Sequence, residues 1–186
     1  MSGKQGRLFI LSAPSGAGKG TVIRHLLELY PELSYSVSAT TRQPREGERD
    51  GVSYYFITHE RFRELIDTDA FLEYAHYVGE FYGTPKQPID DCIHHGKDVL
   101  LEIEVQGAKQ VMQKAPDAVS IFIVPPSMEE LESRLRGRQT ESEEKLKARL
   151  RRARHELEEK SHYDHVVVND EVSRAAQEIL KIIKGE

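Results

Sequence analysis

Short apolar runs alternate along the chain with longer stretches whose apolar positions recur every three or four residues. Residues 8–11, 99–103, 119–124 and 165–168 are near-continuous apolar runs, the pattern of strands covered on both faces. Between them the helical period predicts helices over roughly 19–30, 86–95, 106–115, 127–137 and 171–184. Pro31 and Gly96 punctuate two of their ends. Strand and helix in alternation predict an α/β fold with a parallel sheet. No internal repeat and no low-complexity linker interrupts the pattern.

Two stretches depart from it. Residues 35–83 hold most of the chain's Phe and Tyr, with Gly47, Gly51, Gly79 and Gly83 marking turns. They read as a small β-rich insertion carrying one helix near 59–68, a candidate substrate-binding lobe. Residues 141–160 are dense with charge. Leu146, Leu150, Ala153 and Leu157 form one narrow apolar stripe at helical spacing, and pairs such as Arg152–Glu156 read as a solvated, ion-paired face.

The first strand runs into Ser12-Ala13-Pro14-Ser15-Gly16-Ala17-Gly18-Lys19-Gly20-Thr21, and a helical pattern follows. Strand, Gly-rich turn and helix are what a nucleotide phosphate loop needs. Gly16 and Gly18 let the backbone curl so that successive N–H groups face an anion. The helix N-terminus adds its positive dipole end, and Lys19 a point charge for the β and γ phosphates. The pattern G-x-x-x-x-G-K-[ST] is not met in full. Ala13 stands for the first Gly, and Gly20 for the hydroxyl residue that normally helps hold Mg²⁺. Thr21 is the nearest substitute, directly or through a water.

Composition narrows the classes. The chain has 186 residues, 26 Lys+Arg against 31 Asp+Glu, a formal charge of −5, eight His and one Cys. One domain with a real core fits that length. A single Cys excludes an internal disulfide framework and a Cys-based zinc site. No apolar run approaches the roughly 18–20 residues of a membrane span, and the N-terminal run is too short for a signal peptide. Mild acidity disfavours a general nucleic-acid binder. The expected location is cytoplasmic.

Further motifs follow the loop in order: Ser36-Val37-Ser38-Ala39-Thr40-Thr41-Arg42-Gln43-Pro44-Arg45, Glu46-Gly47-Glu48, Gly51-Val52-Ser53-Tyr54, Phe71-Leu72-Glu73, Tyr82-Gly83-Thr84 and Glu102-Ile103-Glu104-Val105-Gln106-Gly107. Pro125-Pro126-Ser127, Arg134-Leu135-Arg136-Gly137-Arg138 and Val168-Asn169-Asp170 complete the series. The series resembles guanylate kinase over about residues 5–184. The resemblance implies transfer of the ATP γ-phosphate to GMP, giving ADP and GDP, with Mg²⁺, in purine nucleotide metabolism and GMP recycling. It implies a P-loop NTPase-type parallel sheet flanked by helices, with a core over 5–34, 84–126 and 162–184. A GMP-binding lobe over about 35–83 and a helical lid over about 127–160 would complete the domain.

Carried over by motif, ATP binding falls to Ala13, Pro14, Ser15, Gly16, Ala17, Gly18, Lys19, Gly20, Thr21, Arg134, Arg138 and Asn169. GMP binding falls to Ser38, Arg42, Arg45, Tyr54, Glu73, Tyr82, Thr84, Glu102 and Glu104, and catalysis to Lys19, Arg42, Arg138 and Arg149. The chemistry agrees with this assignment. A phosphate monoester is already mostly anionic at neutral pH, so its kinase needs cations and donors rather than a general base. Arg42 and Arg45 can grip a phosphate through their guanidinium forks, and Tyr54 and Tyr82 add hydroxyls. A carboxylate at Glu73 accepts from both N1–H and the 2-amino group of guanine, whereas adenine presents a bare acceptor at N1. On an alternating strand, Phe71, Glu73 and Ala75 would share one side. Glu102 and Glu104 lie at the carboxyl end of a central strand, where ligands bind in open α/β sheets. The family usually has Asp at both positions. Arg149 borders the apolar stripe of its helix and can turn toward a cleft.

Asp90, Asp91, Cys92, His94 and His95 contain metal-ligand types without metal-site spacing. His155, His162 and His165 suit helix surface and strand edge. The expected partners are the small molecules ATP and GMP, with no nucleic acid and no membrane, and a homo-oligomer is possible. The competing readings are a phosphate-loop kinase for AMP or a pyrimidine monophosphate, and a non-catalytic guanylate-kinase-like interaction module.

Overall fold

The computed structural model describes residues 5–137 and 142–186. Its strands are β1 (Leu8–Ser12), β2 (Ser34–Tyr35), β3 (Ala39–Thr40), β4 (Tyr55–Phe56), β5 (Phe71–Tyr77), β6 (Glu80–Pro85), β7 (Val99–Glu102), β8 (Val119–Val124) and β9 (His165–Val168). Its helices are α1 (Lys19–Leu29), α2 (His59–Asp67), α3 (Lys86–His94), α4 (Val105–Lys114), α5 (Met128–Arg136), α6 (Glu143–Glu158) and α7 (Val172–Lys184). A five-stranded sheet has the order β2-β7-β1-β8-β9, parallel at β2–β7, β1–β8 and β8–β9. A four-stranded sheet has the order β4-β3-β6-β5. The expected α/β fold with a parallel sheet is the one observed. Among the described residues no helix is long and apolar enough to cross a membrane.

By contact density the chain divides into two units. The first comprises residues 1–8, 34–102 and 106–118; the second comprises 9–33, 103–105 and 119–186.

In the second unit β1 is buried along its whole length, as are the central residues of β8. That burial matches apolar runs without polar alternation. Helix α1 turns Val22, Ile23 and Leu26 inward, one stripe at helical spacing. Helices α5 and α6 start on Ser127 and Ser142, whose hydroxyls accept from the N–H groups of Glu130 and Lys145. Leu131, Leu135, Leu146, Leu150 and Ala153 then close into one cluster. The apolar stripe of the charge-rich stretch thus packs on its neighbour helix, and only the rest of α6 is wet.

In the first unit the four-stranded sheet and α2 share a core of Ala39, Phe62 and Phe71. Phe62 stacks on Phe71 and Phe81 with ring centroids 4.4 and 5.2 Å apart. These are the aromatic residues that mark the insertion in sequence. Tyr35 is the exception. It pairs with Leu100 in the five-stranded sheet, so the lobe's own strands begin after it. A two-residue strand has no periodicity by which a sequence could reveal it.

Candidate active site

The second unit carries the phosphate loop between β1 and α1. Two glycines hold left-handed backbone there, Gly16 at φ 92° and Gly18 at φ 87°, a region that side chains with a Cβ disfavour. A side chain at either position would also have to push its neighbours aside. A Cβ on Gly16 would lie 2.7 Å from Leu135 Cδ2, and one on Gly18 would lie 2.5 Å from Asn169 Nδ2. The loop is therefore shaped from outside by the α5 leucines and by Asn169. Asn169 is 2% exposed. Its Nδ2 donates to the Ala17 carbonyl at 2.7 Å, and Arg134 Nη2 donates to the Asn169 carbonyl at 3.0 Å. Both residues brace the loop in this structure. The Asn169 Oδ1 is buried without a protein partner.

Lys19 opens α1 and its Nζ donates to the Ile103 carbonyl at 3.2 Å, which also accepts from Ser12 Oγ at 3.0 Å. Ser15 is held by α6. Arg149 Nη2 donates to Ser15 Oγ at 2.9 Å, and the Ser15 N–H donates to Glu156 Oε2 at 3.1 Å. Ala13, Pro14 and Ala17 are buried, Gly20 and Thr21 exposed. Arg149 does turn inward from its stripe, as its position beside the apolar residues suggests. Arg138 lies outside the described residues.

The first unit holds the other candidate set. Arg42 follows β3, and its guanidinium makes a two-pronged contact with Glu48, Nη1 to Oε2 at 3.0 Å and Nη2 to Oε1 at 2.9 Å. Glu48 also accepts from the Arg45 N–H at 2.7 Å. The Arg42 hydrogen bonds hold the Glu48 carboxyl below the usual carboxylate range. The Arg42 guanidinium lies 5.5 Å from the Tyr54 ring centre, and Tyr54 meets Tyr82 edge-on at 6.2 Å. Burial pushes the Tyr54 phenol up. Arg42, Tyr54 and Tyr82 thus converge, with the Arg45 backbone tied in through Glu48. Ser38 is half-buried, its carbonyl accepting from the Tyr55 N–H at 2.9 Å.

Glu73 departs from the expected alternation. The β5–β6 register shifts between Phe71 and Glu73, and Phe71, Leu72 and Glu73 are all buried. A bulge lets consecutive residues turn inward, which period-two reasoning cannot foresee. Glu73 is 7% exposed. Its Oε1 accepts from Thr84 Oγ1 at 2.6 Å, and Thr84 is fully buried. Burial pushes the Glu73 carboxyl above its ordinary range, and the Thr84 hydrogen bonds pull the other way.

Glu102 ends β7 and accepts from the Tyr35 hydroxyl at 2.5 Å. Glu104 comes after the strand, in the second unit, and pairs with Arg152 Nη2 at 2.5 Å. The two carboxylates therefore take different partners. Glu48, Tyr35 and the second bond of Glu156 were not legible as site features. For Glu48 the signal was there, a Glu placed three and six residues after two arginines across a Gly turn.

The residues around Lys19 suit a metal that arrives with a nucleotide. Thr21 is exposed in the first turn of α1, and a Cβ at Gly20 would meet nothing within 4 Å. Among the described residues no three His, Cys, Asp or Glu side chains converge on a cation site. Mg²⁺ commonly keeps its waters and leans on substrate phosphates rather than on a protein cage. The Asp90–His95 stretch shows no convergence either. His94 and His95 turn their Nδ1 atoms to the Asp90 and Asp91 carbonyls, at 2.7 and 2.6 Å.

A buried strand, a glycine-kinked loop ending in lysine and a helix, set in a parallel sheet, define the phosphate-loop class of nucleotide-binding proteins. The family model described as Guanylate kinase matches residues 5–186. The guanylate kinase of Desulfitobacterium hafniense is 52% identical over 186 residues, covering 100% of this chain and 93% of its own. That of Prochlorococcus marinus is 50% identical, covering 96% and 97%. The crystal structure of guanylate kinase from Anaplasma phagocytophilum aligns with a TM-score of 0.76 at 37% identity, covering 100% of this chain and 88% of that one. The chain belongs to the guanylate kinase family.

Proposed function

We propose that the chain passes the γ-phosphoryl group of ATP to GMP, with the second unit holding ATP and the first unit reading GMP. The observation that carries this reading is Glu73. A carboxylate buried to 7% exposure, with one oxygen held by Thr84, keeps acceptor capacity for two adjacent donors. Guanine offers that pair at N1–H and the 2-amino group. Adenine and the pyrimidines do not match it. Ser38 sits on the same lobe as a further base contact.

The GMP phosphate goes to Arg42, Arg45, Tyr54 and Tyr82. Arg42 carries Glu48 in two-pronged fashion, the fork contact that a pair of phosphate oxygens also accepts. Glu102, oriented by Tyr35, belongs to the same side. Glu104, the longer stand-in for an aspartate, meets GMP or the waters of the metal. On the ATP side, the N–H groups of Gly16, Gly18, Lys19 and Gly20 receive the β and γ phosphates, and Lys19 adds its charge. Arg134 and Asn169 keep the loop in shape, and Asn169 lines the adenine side. Mg²⁺ bound with ATP would supply positive charge to offset that of the phosphates. Thr21, directly or through a water, is the residue here that would steady it.

A GMP phosphate oxygen attacks the γ-phosphorus, and the bond to the β–γ bridging oxygen breaks, leaving ADP. The nucleophile is already anionic, its second pKa being about 6, so no proton has to be removed. The protein's task is to offset negative charge. Lys19, Arg42, Arg138 and Arg149 stabilise the charge spread over the transferring group. The partners are ATP and GMP.

A coupled ADP-release assay with GMP, AMP, CMP and UMP tests the reading. Turnover with GMP and little with the other three is expected. Preference for AMP or a pyrimidine would move the chain to another monophosphate kinase. Absence of turnover with all four would leave an interaction module.

A further inference from the structure

Glu156 is a half-buried carboxylate to which the proposed reaction gives no role. Glu156 lies near the C-terminal end of α6, and its side chain is 12% exposed. Its Oε1 accepts from Arg152 Nε at 2.7 Å, the surface pair that helical spacing predicts. Its Oε2 accepts from the backbone N–H of Ser15 at 3.1 Å. That second bond is not a surface feature. It reaches the Ser15 end of the phosphate loop and takes up an N–H that then serves the protein rather than the phosphate.

Arg149 stands two turns earlier on the same face of α6. It donates from Nε and Nη2 to Ser15 Oγ at 3.3 and 2.9 Å. One helix therefore grips Ser15 twice, by its N–H through an acid and by its hydroxyl through a base. Arg152 extends the tie to Glu104. An exposed Arg–Glu pair alone contributes little. A charge-assisted bond to a loop N–H, screened by burial, fixes a distance and a direction.

We propose that Glu156 is a positioning residue for phosphoryl transfer. By tying the Ser15 N–H to the Arg152 side chain, it seats α6 on the phosphate loop in the register that places the Arg149 guanidinium at Ser15. The proposal rests on the assignment of Arg149 to the transferring group.

The test is a double-mutant cycle on the full chain, Glu156→Gln, Arg149→Ala and the pair, read as kcat, GMP KM and melting temperature. Gln keeps an acceptor for Ser15 but turns a donor against Arg152 or the reverse, so the tie cannot be complete. Glu156→Gln should lower kcat about tenfold while the GMP KM stays within about twofold and the melting temperature is unchanged. In the Arg149→Ala background the same change should cost less than about twofold, because the group it positions is gone. If Glu156→Gln does not fold, Glu156→Asp, which keeps the charge but shortens the reach, runs through the same cycle with the same expectation. A kcat for the Glu156 variant within twofold of the parent overturns the proposal. So does an equal loss in both backgrounds, and either result leaves the Arg149 assignment standing. Full activity of Arg149→Ala alone removes that assignment and this proposal together.

Discussion

The two candidate sets solve recognition by different means. In the phosphate loop the proposed ligand groups are backbone N–H donors with the charge of Lys19, and the other side chains around them are scaffolding. Gly16 and Gly18 adopt φ near 90°, with Leu135 and Asn169 filling the space a Cβ would need. In the lobe proposed for GMP the proposed ligand groups are side chains, and each key one already has a protein partner: Arg42 with Glu48, Glu73 with Thr84, Glu102 with Tyr35. A backbone cradle reads only charge and shape, so it takes a triphosphate without asking about the base. A buried side-chain acceptor reads hydrogen-bond polarity, and so it can discriminate between bases. Damage to the first should therefore fall on every acceptor alike, and damage to the second on GMP alone.

Lys19→Ala should give the largest effect. In the proposed reaction Lys19 meets ATP phosphates in ground and transition states, so its loss should raise the ATP dissociation constant and lower kcat by about 10³-fold. Calorimetry with ATP alone and turnover with several acceptors check both halves. A loss confined to GMP turnover, with ATP binding intact, would break the division of labour between the two regions.

Glu73→Gln should come next. An amide places one donor where two acceptor lone pairs face guanine, at an expected cost of about 2–4 kcal/mol in kcat/KM for GMP. ATP binding should be unchanged, and the residual turnover with AMP should not fall. Unaltered GMP kinetics would remove Glu73 from the site.

These expectations also show how far residue order alone carried. The phosphate loop was legible because its chemistry is local: strand, glycines, lysine and helix are contiguous. The lobe's arginines, tyrosines and Glu73 were legible as a series of motifs, but their partners were not. Glu48 reaches Arg42 across a glycine turn, and the β5 bulge buries Glu73 against the strand's period of two. Ser15 lies 141 residues from Glu156. The Arg152–Glu156 pair is visible at i,i+4 spacing, while the bond that matters to the loop belongs to tertiary structure. Apolar period placed the helices and the strands β1, β7, β8 and β9 within a residue or two; it gave no bounds for β5 and β6 and was blind to two-residue strands such as β2 and β3.

A smaller effect sharpens the comparison through pH. Burial raises the Glu73 carboxyl above its unfolded value, so the folded chain holds that proton more tightly. The associated stability is fully present below the ordinary carboxylate range and declines as pH rises through the raised value. Guanine's donors favour the ionised form. Inside that window GMP binding should therefore release a proton, and GMP affinity should rise with pH. Calorimetry in two buffers of different ionisation enthalpy measures the release. In Glu73→Gln the release should vanish. ATP binding to the loop should show no such step from this group, and proton release that survives the substitution would assign it elsewhere.

Gly20→Ser should have the smallest effect, and it probes the loop by addition rather than removal. Gly20 is exposed, and a Cβ there would meet nothing within 4 Å, so the substitution carries no steric cost. Its φ is outside the left-handed region occupied by Gly16 and Gly18, so no backbone strain follows. The added hydroxyl would restore the group that phosphate loops commonly offer to Mg²⁺. If the metal arrives held by ATP oxygens and water, one more ligand changes little. Apparent Mg²⁺ affinity should shift by no more than about threefold, and kcat with GMP should stay within about twofold, because the metal's contacts to phosphate do not depend on residue 20. A Mg²⁺ titration of turnover at fixed ATP gives both numbers. A gain or loss of tenfold or more would mean that this side chain position controls the metal, and that the loop reads its ligand through side chains as the lobe does.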